Sequence, residues 1–174
     1  MRIGIIGAGS MGAGIAQVAA SADCNVKIYD QSKEVCEKAL IKLDKILKRL
    51  IEKGKIDDIK KQSIQDNISI ISDIEDLKDS DLIIEAIIED EKIKKNIFSN
   101  LSNLVSDECV IATNTSSLSI TSLASSCKIP ERFIGVHFFN PAPLMPLVEI
   151  IPALQTNQKL VDKVYDLISG WGKS

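Results

Sequence analysis

A doubly wound α/β fold, with a mostly parallel sheet and helices on both faces, is predicted by three features of this 174-residue chain. Short Ile/Val-rich runs alternate with longer stretches of helical periodicity, the pattern of strands joined by right-handed crossovers. The middle runs are apolar at consecutive positions, so they read as strands buried on both faces. A glycine-rich turn follows the first run and opens the first helical stretch.

In order, "RIGII" (2–6) reads as the first strand and 11–22 as its helix. "NVKIYD" (25–30) is the second strand, and helices over 32–53 and 57–66 lead to "ISII" (68–71). "DLIIEAI" (81–87) precedes a helix over 91–104, where Ile93, Ile97, Leu101 and Leu104 define the face expected to lie on the sheet. "CVIAT" (109–113), a helix over 119–126, "RFIGVHF" (132–138), "PLVEII" (146–151) and a helix over 157–171 complete the series. The length fits one domain with a real core, residues 1–174. "GWGKS" stops directly after the last helix, which reads as an ending before a further element, so a fragment is expected.

Composition narrows the classes. An apolar fraction of 45% with 26% charged residues is that of a globular protein, and a net charge of −3 argues against nucleic-acid binding. The four cysteines form no CxxC pair, and one histidine cannot complete a zinc site with them, so no metal is expected. They read as reduced thiols of a cytoplasmic protein. No run reaches the ~18 apolar residues a membrane span needs.

The turn reads "GAGSMG": Gly7, Gly9 and Gly12 in the spacing GxGxxG, between a strand and a helix. Gly7 makes the tight turn, Gly9 lets backbone approach a pyrophosphate, and Gly12 lets helix and strand pack closely. The helix N-terminus offers free N–H groups to the anion. This is the Rossmann-type signature. Asp30 ends the second strand, 18 residues after Gly12, where a carboxylate accepts from the adenine ribose hydroxyls and repels a 2′-phosphate. Gln31 and Ser32 follow it rather than arginine, which favours NAD over NADP.

His137 is the only histidine. If "RFIGVHF" and "LVEII" pair antiparallel about a loop centred on Pro143, Phe139 faces Leu147, Phe138 faces Val148 and His137 faces Glu149. A carboxylate opposite an imidazole fixes its tautomer, the arrangement of a general base with its orienter. A packed strand-edge histidine with Glu149 in water fits the same pattern. "TNTSS" (113–117) also follows a strand, and ligands of open α/β sheets bind past such ends. Ser117 or Ser119 can cap the next helix, leaving Ser116 and Asn114 for a ligand.

"IGAGSMGAGIAQ", "IIEAIIED", "NTSSLSIT" and "GVHFFNPAPLMPLVEII" together resemble the L-3-hydroxyacyl-CoA dehydrogenases, most nearly the bacterial 3-hydroxybutyryl-CoA type. The resemblance implies hydride transfer between NAD(H) and C3 of a short-chain 3-hydroxyacyl-CoA or 3-oxoacyl-CoA. His137 matches the general base and Glu149 its carboxylate. Ser116 and Asn140 match polar residues near the reacting carbon and nicotinamide. Asn114, Glu89 and Lys94 count with the cofactor contacts, although "EDEKIK" (89–94) is more acidic than the family's usual stretch. The resemblance also implies a helical C-terminal domain that builds a homodimer and carries a catalytic asparagine. Neither lies within these 174 residues, so this chain alone is expected to bind cofactor but turn over little.

Residues 33–55 carry eight Lys/Arg against four Asp/Glu, a net of +4. Lys38, Lys42, Lys45, Arg49 and Lys53 form one stripe beside an apolar stripe of Val35, Ala39, Leu43, Ile46 and Leu50. Such a stripe is usually a solvated face; the resemblance assigns Arg49 and Lys53 to the CoA phosphates. Two rivals are a dehydrogenase of a free hydroxy acid or sugar acid and a non-catalytic NAD-binding module.

Overall fold

The computed structural model describes residues 1–174 as one seven-stranded sheet with helices on both faces. The strands are β1 (Arg2–Ile6), β2 (Asn25–Tyr29), β3 (Ile68–Ile71), β4 (Leu82–Glu85), β5 (Val110–Thr113), β6 (Phe133–Phe138) and β7 (Val148–Pro152). The helices are α1 (Ser10–Ser21), α2 (Lys33–Glu52), α3 (Asp58–Asp66), α4 (Glu91–Leu104), α5 (Ile120–Ala124) and α6 (Gln158–Gly170). Two short 3₁₀ turns, Ile74–Leu77 and Pro130–Arg132, have no counterpart in the periodicity.

The strand order is β3-β2-β1-β4-β5-β6-β7, parallel throughout except for β7. The order reverses between β1 and β4, which opens a crevice beyond their carboxyl ends. Consecutive apolar residues are needed here because both faces are covered. Ile3, Ile5, Ile28, Leu82 and Ile84 pack with α1, α2, α3 and α6, while Ile6, Ile83, Ile111 and Phe133 pack with α4 and α5.

Helix boundaries follow side-chain caps. Ser32, Asp57, Asp90 and Ser119 each accept from the backbone N–H three residues on. Ser119 is thus the cap of α5, a helix shorter than its apolar pattern. The predicted face of α4 holds except at its start: Leu101 is buried and Ile97 and Leu104 pack against the core, but Ile93 is 41% exposed, and Lys94, Phe98 and Ser102 are buried beside them. Lys94 has a partner inside the fold, described below. In α2 the buried line is Cys36, Ala39, Leu43 and Leu47, with Val35 and Leu50 at its margin. The basic stripe is exposed, as expected.

All four cysteines are free and buried, and burial pushes the Cys109 and Cys127 thiols up to about 11. No group of side chains could hold a metal ion, and no helix is long and apolar enough to cross a membrane.

Candidate active site

The glycine-rich turn is built for an anion. Gly7 sits at φ +100°, and a Cβ there would lie 2.5 Å from the Ala86 carbonyl oxygen. A Cβ on Gly12 would lie 1.8 Å from the carbonyl oxygen of Gly7. A side chain at either position would therefore force the backbone to shift. Gly9 differs: a Cβ there would meet nothing within 4 Å. Its bareness serves no internal contact, which suits the close approach of a ligand. Gly9 is also the cap residue of α1, with no side-chain cap, and the N–H groups of Ser10, Met11 and Gly12 make no hydrogen bond inside the chain. Three free amides at a helix N-terminus fit a pyrophosphate. Asp30 braces the same turn: its carboxylate accepts from Ala8 N at 2.8 Å and from Ser32 N at 2.9 Å. Each oxygen keeps a lone pair for a ribose hydroxyl.

His137 lies opposite Glu149 in the β6–β7 ladder, and Phe138 lies opposite Val148. Phe139 and Leu147 fall outside the ladder, because Pro146 and the turn before it end the pairing. His137 Nδ1 is 2.8 Å from Glu149 Oε2. The imidazole is 16% exposed and packs at 4.6 Å against the Phe139 ring, whereas Glu149 is half exposed. Nδ1 is thereby committed to the carboxylate, leaving Nε2 for a substrate proton. Asn114 steadies the hairpin by accepting the Phe138 N–H at 2.8 Å, which leaves its amide N–H groups free. The loop beyond is clasped from residues 173 and 174. Lys173 Nζ donates to the carbonyls of Ala142 and Met145 at 2.6 and 2.8 Å, and burial lowers its pKa.

A row of charges lies under the other side of the site. Glu85, at the end of β4, is fully buried and accepts from Lys94 Nζ at 2.6 Å, Ile87 N at 2.7 Å and Thr113 Oγ1 at 2.7 Å. Lys94 is 1% exposed and also reaches Glu89 Oε2 at 3.3 Å. This pair accounts for the burial of Lys94 at the start of α4, next to the exposed Ile93. Glu89 faces β5 as well: its Oε1 accepts from the Thr115 hydroxyl, Ser116 N at 3.1 Å, and Ser117 N and Oγ at 3.3 and 3.1 Å. Burial pushes the Glu89 carboxyl up, but the Thr115 hydroxyl and Lys94 outweigh it and hold it below the ordinary range.

One cleft of about 340 Å³ collects Met11, Glu89, Lys94, Asn114, Ser116, His137 and Asn140, at the switch point where the strand order reverses. The glycine-rich turn borders it through Met11. Arg49 and Lys53 stand apart, both exposed, at the C-terminal end of α2, and neither is in an ion pair. Glu85 went unassigned in the sequence. Its signal was a carboxylate ending an otherwise apolar strand.

A glycine turn with free helix amides, a strand-end carboxylate and an imidazole–carboxylate pair in one crevice define a dinucleotide-binding domain of the dehydrogenase kind. Residues 2–174 match the family model described as "3-hydroxyacyl-CoA dehydrogenase, NAD binding domain", and the chain belongs to this family. It is 46% identical over 167 residues to a 3-hydroxybutyryl-CoA dehydrogenase of Clostridioides difficile, covering 96% of this chain and 59% of that protein. It is 41% identical over 174 residues to a probable 3-hydroxybutyryl-CoA dehydrogenase of Deinococcus radiodurans, covering 100% and 62%. The crystal structure of 3-hydroxybutyryl-CoA dehydrogenase from Escherichia coli K12 superposes with a TM-score of 0.98 at 38% identity, covering all of this chain and 37% of that one. The chain thus spans about three fifths of the curated relatives' length.

Proposed function

We propose that residues 1–174 are the NAD-binding domain of a short-chain 3-hydroxyacyl-CoA dehydrogenase that interconverts 3-hydroxybutyryl-CoA and acetoacetyl-CoA. The observation that carries this reading is the His137–Glu149 pair, held at 2.8 Å in the cleft that the glycine-rich turn borders. NAD, when bound, supplies the hydride acceptor at the nicotinamide. The chain supplies the rest. Asp30 and the free amides of Ser10, Met11 and Gly12 hold ribose and pyrophosphate. Glu149 fixes Nδ1 of His137, so Nε2 takes the 3-hydroxyl proton as hydride leaves C3. Ser116, Asn114 and Asn140 orient the oxygen and the nicotinamide. Arg49 and Lys53, unpaired on α2, meet the CoA phosphates. The whole protein is taken to act in the cytoplasm as a homodimer, closed by a helical C-terminal domain, so this chain alone turns over slowly.

The test is kinetic, on the whole protein, with NADH and acetoacetyl-CoA. His137→Ala lowers kcat by about 10²–10⁴ while NADH affinity stays unchanged. Lys53→Ala raises KM for the CoA substrate more than it lowers kcat, because remote contacts bind ground and transition states alike. Retained kcat in His137→Ala overturns the assignment of the base, and equal turnover of free acetoacetate overturns the CoA reading.

A further inference from the structure

We propose that Lys173 is a positioning residue: its ammonium clasps the loop Asn140–Pro146 and so sets the place of the Asn140 amide in the cleft. The loop cannot hold itself. Its seven residues include Pro141, Pro143 and Pro146, so it has seven carbonyls and only four N–H groups. Two of those donors, Leu144 N and Met145 N, converge on one acceptor, the Pro141 carbonyl, at 2.9 and 3.0 Å. Acceptors left over are met from outside the loop. Lys173 Nζ donates to the Ala142 and Met145 carbonyls at 2.6 and 2.8 Å, and Ser174 N donates to the Pro146 carbonyl at 2.9 Å. An ammonium serves two carbonyls from one atom, and its charge strengthens both bonds. No carboxylate neutralises Lys173, so the loop carbonyls are its only partners in the chain.

The loop also touches α1, the helix that the glycine-rich turn opens. Ala142 is buried, and a Cβ on Gly14 would lie 3.2 Å from both Ala142 Cβ and Pro143 Cδ. Trp171, two residues before Lys173, stacks at 6.5 Å on Phe138, the last residue of β6. The consequence falls on Asn140. It is exposed in the cleft, and the chain gives its side-chain amide no hydrogen-bond partner. Its place is set by the backbone on either side. Two residues before it, Phe138 is fixed by the ladder and by Asn114. Two residues after it, Ala142 is fixed by Lys173. His137 differs, since the ladder and Glu149 hold it without the loop. Loss of the clasp therefore moves Asn140 and leaves the base where it is.

The inference rests on the proposed reading in taking Asn140 to touch the nicotinamide or substrate, so the experiment, on the whole protein, has two arms that separate the two. The first needs no substrate. Lys173→Met keeps the side-chain length and loses the ammonium. Amide hydrogen exchange in this variant accelerates at Leu144 and Met145 by roughly tenfold or more, the scale of lost charge-assisted bonds, with little change in β1. The second arm is a double-mutant cycle of Lys173→Met and Asn140→Ala on acetoacetyl-CoA reduction. Lys173→Met alone lowers kcat by about 10–100-fold, as a misplaced group does, while the pH–rate midpoint set by His137 stays in place. On the Asn140→Ala background it costs almost nothing further. Additive effects in the cycle, a shifted midpoint, or unchanged exchange at 144 and 145 each overturns the clasp. Exchange accelerated throughout the sheet, the sign of a general loss of stability, overturns it as well. Acceleration confined to the loop, in a protein whose unsubstituted form is inactive toward acetoacetyl-CoA, leaves the clasp standing and sinks the dehydrogenase reading.

Discussion

Replacing Lys94 by methionine removes the cation of the Glu85–Lys94 pair with little change in volume. Lys94 is 1% and Glu85 0% exposed, so water cannot screen the carboxylate left behind. Glu85 keeps only the Ile87 N–H and the Thr113 hydroxyl as donors. Breaking a buried pair on one side costs about 3–5 kcal/mol. The second contact, to Glu89 at 3.3 Å, adds little because that carboxylate is 38% exposed. In a domain of this size each kcal/mol moves Tm by about 2–4 °C, so the loss is roughly 6–20 °C. Urea unfolding followed by far-UV circular dichroism measures it. The pair Glu85→Gln with Lys94→Met, which removes both charges, recovers most of the loss, since a neutral replacement is often no worse than the ion pair. A single variant less than about 1 kcal/mol destabilised, or a double variant no more stable than Lys94→Met, would refute the account of the buried pair.

Two further outcomes follow from other sites. Gly9→Ala keeps its Tm, having open space for the methyl, but loses NADH affinity in a fluorescence titration, whereas Gly12→Ala unfolds at lower urea because its methyl would sit 1.8 Å from the Gly7 carbonyl oxygen. Lys48 and then Lys61 lower the Asp44 carboxyl from 3.8 to about 2; a depressed folded value means that this tie of α3 to α2 contributes stability above pH ~4 and loses it as pH falls toward 2. An NMR titration of the Asp44 carboxyl reads the midpoint, and a midpoint near 4 would show the tie absent.

The strands were legible because a parallel sheet covered on both faces demands consecutive apolar residues, a pattern that needs no partner to be recognised. The His137–Glu149 register was legible for a similar reason: one proline-rich loop has one centre, and the side chains alternate from it. The start of α4 was not, since apolar periodicity counts Lys94 as a surface residue, and only Glu85 on a neighbouring strand makes its burial affordable. The donors of Glu89 were not legible either, because they sit on another strand's loop, beyond the reach of any local pattern. The bond from Ala8 to Asp30 and the clasp of Lys173 on the hairpin loop likewise join segments far apart in the chain.

β7 forms one margin of the sheet, and a margin normally offers a row of open amides to any passing strand. Alternate residues of β7 turn their N–H groups outward, beginning with Val148. Val148 N is already taken by the Ser174 carbonyl at 2.9 Å, and Ser174 N returns a bond to Pro146 O at 2.9 Å. At the far end Pro152 has no N–H to give. Among the outward donors the Ile150 N–H remains open. The edge of the hairpin that carries His137 and Glu149 is thus met at its start by backbone from residue 174, in the bonding pattern of strand pairing.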